Sequence, residues 1–213
     1  MSQSQNEPER KASSNDLKPL YVRTIVNSFG SGTVGPFLGV YTVMLGASPS
    51  EMGWFQSIAN LTPNMMQIPW GKLSDKIGKR VPFILLGGLI TALLWIPMMF
   101  VTSATQMIAV IAAQSLLGSM AAPAWTALIG ELAHSSKRGI TTAVINRSAM
   151  IGSLSATLLS GYLMVAITGT LQQMFFVPLT IAVICGVFAP LAILLVEEKR
   201  KPSSNLSKGS IFS

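Results

Sequence analysis

Four amide side chains, Gln56, Asn60, Asn64 and Gln67, recur every three or four residues inside an otherwise apolar stretch. At ~100° per residue they fall within an arc of roughly 80° on one helix face. Amides both donate and accept hydrogen bonds, so the chemistry on offer is recognition of a polar group, not bond making. Thr24, Asn27, Ser31 and Gly35 form a second stripe, and Gln114, Gly118, Ala121 and Trp125 a third. Asn146, Ser153, Thr157 and Ser160 form a fourth. Each stripe has two readings: contacts that bind one helix to another, or the wall of a polar cavity. Four stripes on four segments favour a cavity, with Asn27, Ser31, Asn60, Asn64, Gln114, Trp125 and Asn146 as its candidate lining.

Catalysis is poorly supported. A nucleophile needs an acid or base partner, and no His, Asp or Glu lies inside the apolar segments. Cys185, the single cysteine, sits in one of them and reads as a small packing residue. His134 lies in a basic loop and reads as solvated. There is no phosphate-binding glycine loop and no metal-ligand cluster, so neither cofactor, metal nor enzymatic activity is expected. Apart from Arg23 at the entrance of the first, Arg147 is the one cation inside a segment. As an anion-binding or coupling residue it would be functional, but 148–167 alone supplies 20 residues, enough to cross a bilayer. Arg147 then reaches the interface by snorkelling.

Six stretches must position these residues: 20–45, 52–70, 81–101, 106–129, 140–167 and 174–196. Each is near the ~20 apolar residues that cross ~30 Å of hydrocarbon. Their continuous apolar character excludes a β-barrel, whose strands alternate and are far shorter. The composition agrees, since only 11 % of the 213 residues are charged and 50 % are hydrophobic. A soluble domain carries about 25 % charged residues. The expected architecture is an all-α polytopic membrane protein of six transmembrane helices.

The net charge of +7 is a topology signal. Lys and Arg are found at Arg10, Lys11, Lys18 and Arg23, at Lys72, Lys76, Lys79 and Arg80, at Lys137 and Arg138, and after Lys199. The alternate loops have none. By the positive-inside rule both termini are cytoplasmic, and no nucleic-acid partner is expected. No signal-peptide pattern precedes the first stretch. Residues 1–18 read as a disordered cytoplasmic tail, 19–197 as the six-helix unit, and 198–213 as the start of a cytoplasmic linker. Polar residues are scarce in the third stretch, which has Thr91, and in the sixth, which has Thr180 and Cys185. The third helix of each triplet is therefore expected to face lipid, as in two three-helix repeats. Pro63, Pro69, Pro97, Pro123 and Pro178 imply local bends.

Between the second and third stretches the chain reads Gly71-Lys-Leu-Ser-Asp75-Lys-Ile-Gly78-Lys79-Arg80. Two glycines permit a tight turn between antiparallel helices, and the cations hold it at the cytoplasmic face. Asp75 is placed to pair with Lys79 or to cap a helix terminus. This loop resembles the signature loop of the major facilitator superfamily, Gly-x-Leu-x-Asp-(Arg/Lys)-x-Gly-(Arg/Lys)-(Arg/Lys), which joins that family's second and third helices. Leu45 to Met52-Gly53 resembles the family's first outer loop, and Glu131-Leu132 with Arg138-Gly139 resembles the loop after its fourth helix. The resemblance runs over about residues 20–200 and implies a charge cluster of Asp75, Lys79 and Glu131. Gly71, Asp75, Gly78, Lys79, Arg80 and Glu131 are the gating residues it implies.

The resemblance also implies transport of a small solute by alternating access, in a plasma or inner membrane. Antiporters of the family often carry an Arg four residues before a fourth-helix Gly; here Gln114 stands at that offset from Gly118. Their Gly-Pro-rich fifth-helix motif is also missing from 152–161. Both departures argue against drug/proton antiport. Family members pair two six-helix halves, so the expected partners are a small solute, the lipid bilayer, and a second half or a second copy of this chain. The alternatives are a half-size transporter acting as a homodimer and a non-transporting six-helix scaffold.

Overall fold

The computed structural model describes residues 14–132, 138–167 and 169–195. They form α1 (Ser14–Val34), a 3-10 turn (Gly35–Phe37), α2 (Leu38–Met44), α3 (Pro49–Ile77), α4 (Val81–Met98), α5 (Ala104–Gly118), α6 (Ala121–Leu132), α7 (Arg138–Ala166), α8 (Leu171–Leu191) and a closing 3-10 turn (Ala192–Leu195). No strand occurs among the described residues. Most of the terminal segments expected at 1–18 and 198–213 lies outside them, but α1 already begins at Ser14.

Local chemistry sets the helix ends. Ser48 and Glu51 form a capping box at the start of α3: the Ser48 amide donates to Glu51 Oε2 at 2.8 Å, and the Glu51 amide to Ser48 Oγ at 3.3 Å. At its other end Gly78 adopts φ +69°, the left-handed conformation that glycine enters without steric cost. The fourth apolar stretch is divided into α5 and α6 by a turn at Ser119 and Met120. Pro123 explains the break, because it lacks an amide hydrogen and its ring opposes the carbonyl four residues earlier, that of Ser119. Pro36 divides the first stretch in the same way, with the 3-10 turn around it. Pro63 and Pro69, in contrast, lie inside the continuous α3.

Among the described residues, four helical stretches are long and apolar enough to cross a membrane: Val81–Met98, Ala104–Gly130, Gly139–Ala166 and Leu171–Leu194. The α1–α2 and α3 segments are not among them, because Arg23, Thr24, Asn27 and Ser31, and Gln56, Asn60, Asn64 and Gln67, dilute their apolar content.

Helices surrounded by lipid gain little hydrophobic energy from meeting one another, so close packing must supply the attraction. Small residues allow it here. A Cβ built on Gly32 of α1 would lie 2.7 Å from the Ser153 carbonyl oxygen of α7. On α4, Gly88 would meet Pro190 of α8 at 2.9 Å, and Gly186 of α8 would meet Ala92 at 2.9 Å. The third helices of the two triplets, expected to face lipid, are α4 and α8. α4 and α8 pack on each other, and only their outer faces, with Leu86, Leu93, Ile184 and Phe188, are exposed.

Two apolar clusters occupy opposite ends of the bundle. Leu20, Val81, Ile84, Leu128, Ile129, Ile145 and Ile193 gather beside the 71–80 loop, the basic end. Val34, Tyr41, Phe55, Trp95, Met98, Met107, Phe175 and Leu179 fill the other. There the Tyr41 and Phe175 rings stack with centroids 4.2 Å apart.

Candidate solute cavity and gating loop

A cavity of about 450 Å³ opens between the Gly35–Phe37 turn, α2, α3, α4 and α5. Its size falls within the range of small-molecule sites. Gln56 and Asn60 line it from α3, Thr91 from α4, Gln114 and Ser115 from α5, and Ser119 from the break after α5. Phe55, Ala59, Pro63, Leu38 and Ile111 provide its apolar surface. No charged side chain is among the lining residues.

The amides are partly committed to the protein, which fixes their direction. Asn60 Nδ2 donates to the Gln56 carbonyl at 2.8 Å and to Gln56 Oε1 at 3.3 Å. Gln114 Nε2 donates to the Thr91 carbonyl at 3.3 Å, across from α5 to α4. Thr91 spends its hydroxyl on the Gly87 carbonyl at 2.8 Å. A side-chain amide has four hydrogen-bonding positions, so both residues keep capacity for a ligand. Below them, Trp70 Nε1 donates to the Leu116 carbonyl at 3.2 Å and ties α3 to α5.

Asn60 and Gln114 are thus brought together, and the other expected lining residues are placed elsewhere. Asn27 and Ser31 are exposed on α1, where Ser31 Oγ donates to the Asn27 carbonyl at 2.9 Å. Asn64 is exposed and donates to the Asn60 carbonyl at 2.7 Å. Asn146 and Arg147 are exposed on α7. The rest of the α7 stripe binds α1: Thr157 Oγ1 donates to the Gly32 carbonyl at 2.9 Å, and Ser160 Oγ to the Thr33 carbonyl at 2.5 Å. Gly118 lies against the Thr91 hydroxyl.

In the basic loop Asp75 Oδ1 accepts from Arg80 Nη1 at 2.6 Å. The expected pair with Lys79 is not made. An i, i+4 pair requires the helix to continue, but α3 ends at Ile77 and left-handed Gly78 turns Lys79 outward. Arg80, at the entry of α4, comes round in its place and also reaches Ser74 Oγ at 3.4 Å. Gly71 lies against α6, where a Cβ added to it would stand 3.7 Å from Cβ of Pro123. The Glu131 side chain, expected in the same cluster, lies outside the described residues.

Arg23 is the residue that reading by topology misses. It is 7 % exposed, in the first apolar stretch, and its Cζ stands 3.9 Å from the centroid of the Trp125 ring. Trp125 therefore faces Arg23 and is not part of the cavity wall. The available signal is a cation three residues past Leu20, where the apolar run has already begun.

No curated protein matches the chain. Members of the family indicated by the loop are transporters and not enzymes. The family model of the Major Facilitator Superfamily matches residues 20–211, and with its apolar helices the chain belongs to that superfamily as a multi-pass membrane protein.

Proposed function

We propose that the chain carries a small polar solute across a plasma or inner membrane by alternating access. In this reading it crosses six times, as two three-helix repeats with both termini cytoplasmic, and supplies one wall of the pathway. A second six-helix half, or a second copy, supplies the other. The observation that carries the reading is the uncharged cavity in which Asn60 and Gln114 meet. Its donors and acceptors suit a solute rich in hydroxyl or amide groups. No acid is among the lining residues to carry a coupled proton, which favours uniport or coupling through the other half.

The loop Gly71, Asp75, Gly78, Lys79, Arg80 and Glu131 is the gating element in this account. The Asp75–Arg80 pair joins the end of α3 to the start of α4, so breaking it frees those helix ends to move. The test is uptake of labelled sugars, polyols and amino-acid amides by vesicles containing the assembled protein. Saturable uptake that falls in Gln114→Leu at equal insertion supports the reading. Equal uptake by protein-free vesicles for all three classes favours the non-transporting scaffold.

A further inference from the structure

Arg23 carries a charge that the described protein does not balance. Its Nε is buried and has no hydrogen-bond partner, although a guanidinium offers five donors in one plane. Trp125 satisfies only one face of that plane. The two acids with described side chains are engaged elsewhere: Glu51 with Ser48 and Thr105, Asp75 with Arg80. Buried cations are retained where they are paired or where they bind something.

The position is not that of the amide cavity. Arg23 is twelve residues before Gly35, the nearest cavity-lining residue in sequence, just past the end of α1, which is about 18 Å along a helix. Trp125 comes from α6, so the pair joins α1 to α6 at the basic end of the bundle. Asn27, one turn from Arg23 on α1, is exposed and adds neutral donors beside the charge.

We propose that Arg23, held flat by Trp125, is the anchor of a second site, which binds an oxyanion group, carboxylate or phosphate, through the free edge of its guanidinium. The fork geometry suits two oxygens of one such group. The group is borne either by a soluble anion or by the headgroup of an anionic lipid.

Trp125 makes the site observable. The full chain, in phosphatidylcholine vesicles, is titrated with sodium phosphate and sodium acetate against chloride of equal ionic strength while tryptophan fluorescence is followed. A saturable change with either anion is expected, absent in Trp125→Phe. Arg23→Gln should weaken the apparent affinity by about tenfold or more, the loss of a charge-assisted bidentate contact. Arg23→Lys should keep a saturable but weaker response, and this comparison serves if Arg23→Gln fails to insert. With phosphatidylglycerol added, suppression of the response identifies the headgroup as occupant, and an unchanged response identifies a soluble anion. No saturable change in the wild type, or the same titration in wild type and Arg23→Gln, overturns the proposal. Solute uptake does not enter this measurement, so its outcome is independent of the transport reading.

Discussion

Thr157 of α7 donates its hydroxyl to the carbonyl of Gly32 on α1 at 2.9 Å, and that is the carbonyl which Pro36, lacking an amide hydrogen, cannot serve. The break in the first stretch and the polarity of α7 are therefore one feature. Ser160 serves the next carbonyl, Thr33, whose own hydroxyl donates to the Gly30 carbonyl of α1 at 2.6 Å and stands 3.3 Å from the Pro178 carbonyl of α8. Three helices are joined where a proline interrupts one of them. Irregular backbone in a membrane needs such partners.

Thr157→Val keeps the shape and removes the donor. A loss of about 0.6 kcal/mol, and at most about 1.7, is expected from interhelical bonds of this kind. Gly32→Ala should cost more, because its Cβ would lie 2.7 Å from the Ser153 carbonyl oxygen and 2.8 Å from its Cα, both backbone atoms. Unfolding of the two variants in denaturant-titrated micelles gives the order; Thr157→Val as the more damaging change would contradict the packing account.

These contacts show what a one-dimensional pattern carries. The amide stripe of α3 and the hydroxyl stripe of α7 look alike in sequence, since both avoid lipid. One opens on a cavity at Asn60, and the other is spent on α1 at Thr157 and Ser160. Helical period reveals that a face is polar and says nothing about its partner. The loop motif is legible for a different reason: glycine and aspartate at fixed spacing have no explanation in positive-inside charge alone. Its ion pair is not legible, because left-handed Gly78 takes Lys79 out of helical register. Arg23 is hidden by the same charge rule, which counts cations at a span's end without asking whether they are buried.

Asp75→Asn is expected to change stability by less than about 1 kcal/mol, since Asp75 is 66 % exposed and such pairs are screened. Its effect should fall on the rate of interconversion between access states, read from distances between spin labels on α3 and α6 in the assembled protein. Unchanged kinetics at normal insertion would remove Asp75 from gating.

Glu51 provides a pH-dependent element at the opposite end. Hydrogen bonds from the Ser48 amide and hydroxyl, with a smaller one from Thr105, hold its carboxyl below the usual carboxylate range. A depressed folded-state value means the stabilisation is present above the unfolded value, about 4.3, and is lost as pH falls through the folded one. The Ser48 amide should therefore exchange faster with solvent below the unfolded value, after correction for intrinsic rates. Glu51→Gln, which still accepts from Ser48, should flatten this pH dependence while keeping protection at neutral pH. An equally steep profile in Glu51→Gln would show that another group is titrating.

The cavity is tested by access of water. A Cys185→Ala background removes the native thiol, after which cysteines at Asn60 and Gln114 should react with a small hydrophilic thiol reagent. Cysteine at Ile184, which is 50 % exposed on the outer face of α8, should not react while that face is covered by lipid. Solvent access is what separates the two fates of a polar stripe: an amide facing a cavity meets water, and one facing a helix meets a carbonyl. Thr157 supplies the internal standard, because its hydroxyl is spent on backbone carbonyls, Gly32 of α1 and Ser153 of α7 each at 2.9 Å, where α7 packs on α1. The expected order of reactivity is Asn60 and Gln114 well above Thr157 and Ile184. Equal protection at all four positions, in the assembled protein, would make the bundle dry and the cavity a packing gap. Reactivity at Ile184 matching Asn60 would instead assign the outer face of α8 to water, and with it the other side of the pathway.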